Sequence, residues 1–148
     1  VKYRWTISVD QIIEIHDVLI EKYGGVTGIL NRGELEFIVD QVNHERKSIF
    51  WKAAIILRGI TCGHPFVDGN KRTALEVADI FLRLNNYKIT ATDSEKFNFV
   101  MELASQGMEL KEIISWLEMH VEKSLNRLEV ISRIWYFLKK LKKLLKKA

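Results

Sequence analysis

Apolar residues recur at helical spacing along most of this chain. Ile12, Ile15, Leu19 and Tyr23 mark one face of a first helix over 8–23, which a Ser8/Gln11 capping box opens and Gly24-Gly25 stops. Leu35, Ile38 and Val39 do the same for a second helix over 34–42. A third, over 48–62, starts on Ser48 and turns Phe50, Ala53, Ala54, Leu57 and Ile60 inward. The fourth runs over 70–84 with Ala74, Val77, Ala78 and Phe81 as its stripe, and Tyr87-Lys88-Ile89 follows as a brief extended stretch. A Thr92/Glu95 capping box opens a fifth helix over 93–105, with Phe97, Val100, Met101 and Ala104 inward, before Gly107 breaks the chain. From Glu109 no breaker interrupts the spacing of Ile113, Leu117, Val121, Leu125, Leu128, Trp135, Leu138 and Leu145. That predicts a helix over 109–145, about 55 Å long at its 1.5 Å rise per residue, which bends near 123–126 or projects from the body. The expected fold class is all-α: a compact bundle of about six helices over 1–122, then a basic amphipathic helix or tail over 123–148.

Two connecting segments stand out against this pattern. Residues 24–33 hold four glycines, Gly24, Gly25, Gly28 and Gly33, and read equally as a functional loop or a plain connector. Residues 64–75, His-Pro-Phe-Val-Asp-Gly-Asn-Lys-Arg-Thr-Ala-Leu, gather several local rules. Pro65, the only proline, directs His64 towards extended backbone at the end of the third helix. Asp68-Gly69 reads as a turn and Asn70 as the N-cap of the fourth helix. Lys71 and Arg72 then place two cations at the positive end of a helix dipole, each costing about 0.3–1 kcal/mol. A bound anion reverses that cost. Free N–H groups, a close-approach glycine and two cations make a phosphate nest. His64 is then placed as a general base, and Asp68 to hold a divalent cation on the phosphates. An ordinary helix–turn–helix with a basic cap accounts for any one of these residues, whereas their order in one short loop favours the anion site.

Composition narrows the class. The chain has 148 residues, 47% hydrophobic and 28% charged, as in a soluble globular domain. No apolar run reaches membrane-spanning length and no signal-like segment is present, so a cytoplasmic location is expected. The single cysteine, Cys62, excludes an internal disulfide and reads as a small buried apolar residue. The net charge of +4 hides an asymmetry: Arg133 and six lysines give residues 133–148 a charge of +7, which leaves −3 for the rest. The body is therefore no nucleic-acid binder on charge alone. The segment 131–148, with Trp135-Tyr136-Phe137 and its lysines, can pack on the body, dock a partner, or contact a membrane or RNA. His16 reads as a structural histidine on an apolar helix, and His44-Glu45 as solvated loop.

The 64–75 stretch resembles the signature loop of the Fic/Doc family, H-x-F-x-(D/E)-G-N-G-R-x-x-R in its Fic branch. His64, Phe66, Asp68, Gly69, Asn70 and Arg72 match it position for position. Lys71 and Leu75 depart from it, and both departures are similar to the Doc (death-on-curing) branch, which reads N-K-R here. The weaker resemblance runs from about residue 5 to residue 122. It implies a small helical bundle and a site built by His64 as base, Asp68 as Mg²⁺ ligand, Gly69 and Asn70 as the anion hole, and Lys71 and Arg72 as cations on the phosphates of ATP. Phe66 would anchor the loop. In the family the glycine-rich region near the site helps to position the target.

Fic proteins transfer AMP, using a final motif arginine and a glycine that leaves room beside the phosphates. Leu75 and Lys71 stand at those places, so the resemblance implies Doc-like transfer of the terminal phosphate of ATP to a protein hydroxyl. It further implies a toxin acting on a protein such as elongation factor Tu, held in check by a small antitoxin. AMP transfer is the alternative, and a non-catalytic binding module acting through the basic tail is another. Ser105 and Glu109 match only part of the inhibitory motif of autoinhibited Fic proteins, which points to inhibition by a separate protein.

Overall fold

The computed structural model describes residues 6–44 and 46–124. Six helices and a two-stranded antiparallel sheet follow in the order α1 (Val9–Tyr23), α2 (Arg32–Val42), α3 (Ile49–Gly63), α4 (Asn70–Leu84), β1 (Tyr87–Ile89), α5 (Asp93–Gln106), α6 (Leu110–His120) and β2 (Val121–Lys123). This is the expected all-α bundle. The proposed C-terminal helix, including 131–148, lies outside the described residues, as do Glu45 and the first five.

The bundle is assembled around α3. Ala53, Ala54, Ile56, Leu57 and Ile60 are fully buried, and the helix packs against α2, α4, α5 and α6. Small residues let its neighbours come close, while each buried Leu or Ile contributes about 1.5–3 kcal/mol. Gly59 is needed for that approach, because a Cβ there would stand 2.6 Å from Ile38 of α2. The stripe expected on α4 is also the one observed, with Ala74, Val77, Ala78 and Phe81 fully buried. α1 lies across α4 and α2. The turn between α3 and α4 therefore emerges from the core of the bundle at one end, beside the C-terminus of α1.

Local caps explain most boundaries. Capping boxes open α1 and α5, and Ser48 Oγ accepts from Trp51 N to open α3. α2 begins two residues before the expected start, because Asn31 caps it through Glu34 N, so Gly33 is helical and not part of the loop.

Three expectations fail. The helix expected over 109–145 stops at His120, where Val121 turns extended. Thr90 N donates to His120 O at 2.7 Å and Ser124 N to Asn86 O at 2.8 Å, so β1 offers the backbone bonds that replace the helix. On α5 the buried face is Phe99, Val100 and Leu103, while Phe97 is 60% exposed and Met101 40%. Two apolar stripes compete on this helix, and the stack of Phe99 on Trp116 at 4.1 Å selects one. Cys62 is exposed, with its thiol aimed at Leu103 O, and burial of neighbouring surface pushes its pKa up against the opposing pull of Arg58. Such a thiol is protonated at neutral pH and unreactive. No described helix is long and apolar enough to cross a membrane.

Candidate active site

The loop between α3 and α4 is held chiefly through its backbone. Phe66 is fully buried, which fixes the loop's depth. Asn70 clamps it: Phe66 N donates to Asn70 Oδ1 at 3.0 Å, and Asn70 Nδ2 donates to Phe66 O at 2.9 Å. Asn70 is therefore the first residue of α4 and not its N-cap. The cap is Gly69, left-handed at φ 77°, and it makes no side-chain bond to the helix. The first helical bond is Thr73 N to Gly69 O. The N–H groups of Asn70, Lys71 and Arg72 thus precede the ladder and face outward from the helix end.

His64 is the second correction. Its backbone is left-handed, φ 46° and ψ 56°, and not extended as Pro65 suggested. A residue other than glycine in that region, directly before proline, stores about 1–3 kcal/mol and persists only where its surroundings hold it. The holding contacts come from the opposite strand of backbone. Leu30 N and Asn31 N both donate to Pro65 O, at 2.8 and 3.1 Å, and Val67 N donates to Gly28 O at 3.0 Å. The imidazole of His64 is exposed and accepts no hydrogen bond from another described residue.

Residues 24–31 are therefore not a plain connector. They run antiparallel to the loop, with an isolated bridge between Ile29 and Phe66. Asp68 ties the two together: its Oδ2 accepts from Val26 N at 3.1 Å and its Oδ1 from Gly69 N at 2.8 Å. Gly25 must be glycine here, because a Cβ would stand 2.6 Å from Asp68 Oδ2.

Two residues of α1 bear on the loop: His16, structural as its sequence context suggests, and Tyr23, which is not in the core. His16, only 1% exposed, stacks on Phe66 with ring centroids 3.8 Å apart. Its Nε2 lies 2.7 Å from Asp68 O, and since a carbonyl only accepts, Nε2 carries the proton. Asp17 Oδ1 lies 3.4 Å from Nδ1. The signal for His16 was that a histidine on a buried helical face requires a polar partner. Tyr23, expected in the core, is 54% exposed, and the Arg72 guanidinium lies 4.3 Å from its ring centroid. An exposed contact of that kind contributes about 0.5–1 kcal/mol, comparable to the dipole cost of a cation in the first turn of α4. Nothing in periodicity alone distinguishes such a tyrosine from a core one.

The arrangement brings His64, Asp68, Gly69, Asn70, Lys71 and Arg72 into one loop and helix end. Leu75 packs against the core instead of reaching the loop's surface. The sequence profile of the Fic/DOC family matches residues 6–82, more than half of the chain. The chain belongs to the Fic/DOC family. Its segment of 88 residues is also 38% identical to the protein kinase doc of Escherichia phage P1, covering 56% of this chain and 70% of that one. Together with Lys71 and Leu75, this places the protein in the Doc branch. The matched span of this Fic/DOC protein contains both the loop and the segment 24–31 that braces it.

Among the described residues no group of three His, Cys, Asp or Glu side chains could hold a metal. Asp68 keeps one lone pair on each carboxylate oxygen after its two backbone bonds. It fits a cation only as a single protein ligand, the other positions going to phosphate oxygens and water, which is how Mg²⁺ usually binds with nucleotides.

Proposed function

We propose that this protein is a Doc-like phosphotransferase that moves the terminal phosphate of ATP to a hydroxyl of a target protein. The observation that carries the reading is the open end of α4. Three N–H groups and two exposed cations, Lys71 and Arg72, face outward from a loop whose side chains are committed to holding its own backbone. Next to it His64 presents, from a strained backbone, an exposed imidazole with no hydrogen-bond partner among the described residues.

In this reading His64 takes the proton of the target hydroxyl as its oxygen attacks the terminal phosphorus. The bond from that phosphorus to the bridging oxygen breaks, and ADP leaves. The N–H groups of Asn70, Lys71 and Arg72, with the Lys71 and Arg72 side chains, stabilise charge on the phosphoryl oxygens, while the Gly69 N–H is held by Asp68. Asn70 keeps the loop in register. Asp68 would hold Mg²⁺, which supplies neutralisation of the phosphate charge when bound. Leu75, turned to the core, cannot grip a further phosphate, and Lys71 fills room that AMP transfer would need; both favour terminal-phosphate transfer. The relative's name, protein kinase, supports the same class. The biological reading that goes with it is a cytoplasmic toxin acting on a translation protein such as elongation factor Tu and controlled by a small antitoxin. In line with control by a separate protein, Ser105 lies in the last turn of α5, Gly107 ends that helix and Glu109 sits at the start of α6, so Ser105 and Glu109 do not share one helix. Any membrane, RNA or partner contact would belong to 131–148.

The test is incubation with cell lysate and ATP labelled at either the α- or the γ-phosphate. The γ-label is expected on a protein band, and His64→Ala should abolish it. Transfer of the α-label would replace this reading with AMP transfer. Absence of both labels, with lysates of several sources, would leave a non-catalytic binding module.

A further inference from the structure

We propose that Tyr23 is a positioning residue of the phosphate site: its ring face holds the Arg72 guanidinium so that the N–H edge stays free for phosphate oxygens. The inference rests on the phosphate reading above and adds to it a residue outside the signature loop.

The observations are geometric. Arg72 sits in the first turn of α4, where the helix dipole repels a cation. Its guanidinium carbon lies 4.3 Å from the Tyr23 ring centroid, inside the range of an attractive contact with the ring's negative face. Tyr23 is 54% exposed, so its ring has no core to fill. It is the last residue of α1, and the chain turns away at Gly24 with φ 83°. The ring's place relative to α4 is fixed by close contacts on either side of it. A Cβ on Gly69 would stand 3.1 Å from Ile20 Cδ1, and one on Gly25 2.6 Å from Asp68 Oδ2. The Lys22 ammonium is 5.1 Å from the same centroid, a longer contact.

The chemistry gives the arrangement its use. A guanidinium is planar, and all five of its N–H donors lie in that plane. A ring face offers the guanidinium no oxygen acceptor, so its donors stay available for bidentate binding. An ion pair with a carboxylate would consume the donors themselves. Tyr23 therefore holds the arginine ready without competing with the anion. The phenolic hydroxyl takes no part, so phenylalanine should serve equally.

The experiment uses the full chain and two readouts. In the ligand-free protein, NMR should find the Arg72 side-chain protons shifted upfield by the ring. Tyr23→Leu should return them to ordinary positions and Tyr23→Phe should not. Titration with a non-hydrolysable Mg–ATP analogue and with tripolyphosphate should then show binding weakened about fivefold in Tyr23→Leu and preserved in Tyr23→Phe. In an Arg72→Ala background, Tyr23→Leu should add nothing. An equal loss in that background means Tyr23 acts on the fold and not through Arg72, and overturns the proposal. So does a loss in Tyr23→Phe, or wild-type affinity in Tyr23→Leu. If the wild type shows the upfield shift yet binds neither polyphosphate nor analogue, the phosphate reading of the loop itself falls, and the role of Tyr23 with it.

Discussion

Two helix N-termini in this protein meet the same electrostatic problem in opposite ways. At α5, Thr92 and Glu95 exchange backbone-to-side-chain bonds of 3.0 and 3.1 Å, and Asp93 adds a second carboxylate in the first turn. Every local preference for a helix start is met there. At α4 the cap is a left-handed glycine, no side chain bonds the first turn, and the charges are Lys71 and Arg72. α6 also lacks a side-chain cap, yet it sets Glu112 beside Lys111. Among the described helices only α4 combines open donors with cations in a first turn that holds no acidic residue. The polar side chains near it do not serve the helix end: Asn70 and His16 bond the loop's backbone, and Asp68 bonds both the loop and residue 26. The comparison teaches that a helix start can be stabilised from outside so that its donors stay open for another molecule.

Four changes break or sharpen this contrast. Phe66→Ala removes the buried anchor of the loop and should cost about 3–5 kcal/mol in denaturant unfolding, with phosphate transfer lost. Asn70→Ala leaves Phe66 N and O buried without partners. It should cost about 2–3 kcal/mol and lower transfer at least roughly 100-fold, measured as initial rate of γ-label incorporation. Thr92→Ala at the other terminus should cost about 1 kcal/mol and leave the transfer rate as it was. If it slowed transfer as much as Asn70→Ala does, the two termini would not differ in kind. The smallest effect is in acid. Backbone and side-chain hydrogen bonds with Thr92, then His120, hold the Glu95 carboxyl below its ordinary 4.5. A lowered folded pKa means that this contribution is complete above pH 4.5 and drains away as pH falls through the folded value. A melting-temperature series below about pH 5 should therefore show a shallower acid limb in Glu95→Gln than in the wild type.

The helices were legible because each carries its own signals. Ser8, Ser48 and Thr92 cap where their spacing says they should, and the α4 stripe of Ala74, Val77, Ala78 and Phe81 is buried as read. The loop stood out in the sequence because His64, Asp68, Lys71 and Arg72 lie close together, and the structure keeps them on one turn and helix end. What escaped were contacts between distant segments. His16 and Asp68 are separated by 52 residues, and Val26 and Asp68 by 42. No local pattern encodes such pairs. The same holds for β2, whose residues fit a helix until β1 offers them backbone partners. Asn70 shows a subtler failure: the residue is a good cap, but the buried backbone of Phe66 competes for its side chain and wins, because Phe66's N–H and C=O are cut off from water there.

The antiparallel run of residues 28–31 beside Pro65–Val67 has a consequence for how such a protein can vary. Its backbone bonds read length as well as position, since Gly28, Leu30 and Asn31 each meet a fixed partner. The loop after α1 therefore acts as a ruler laid along the turn between α3 and α4. Adding or removing one residue between Gly24 and Gly28 would shift Val26 off Asp68 or displace every mark after it. Loops elsewhere on the surface can gain or lose residues over generations; this one must keep its count, and its glycines at 25 and 28 as well.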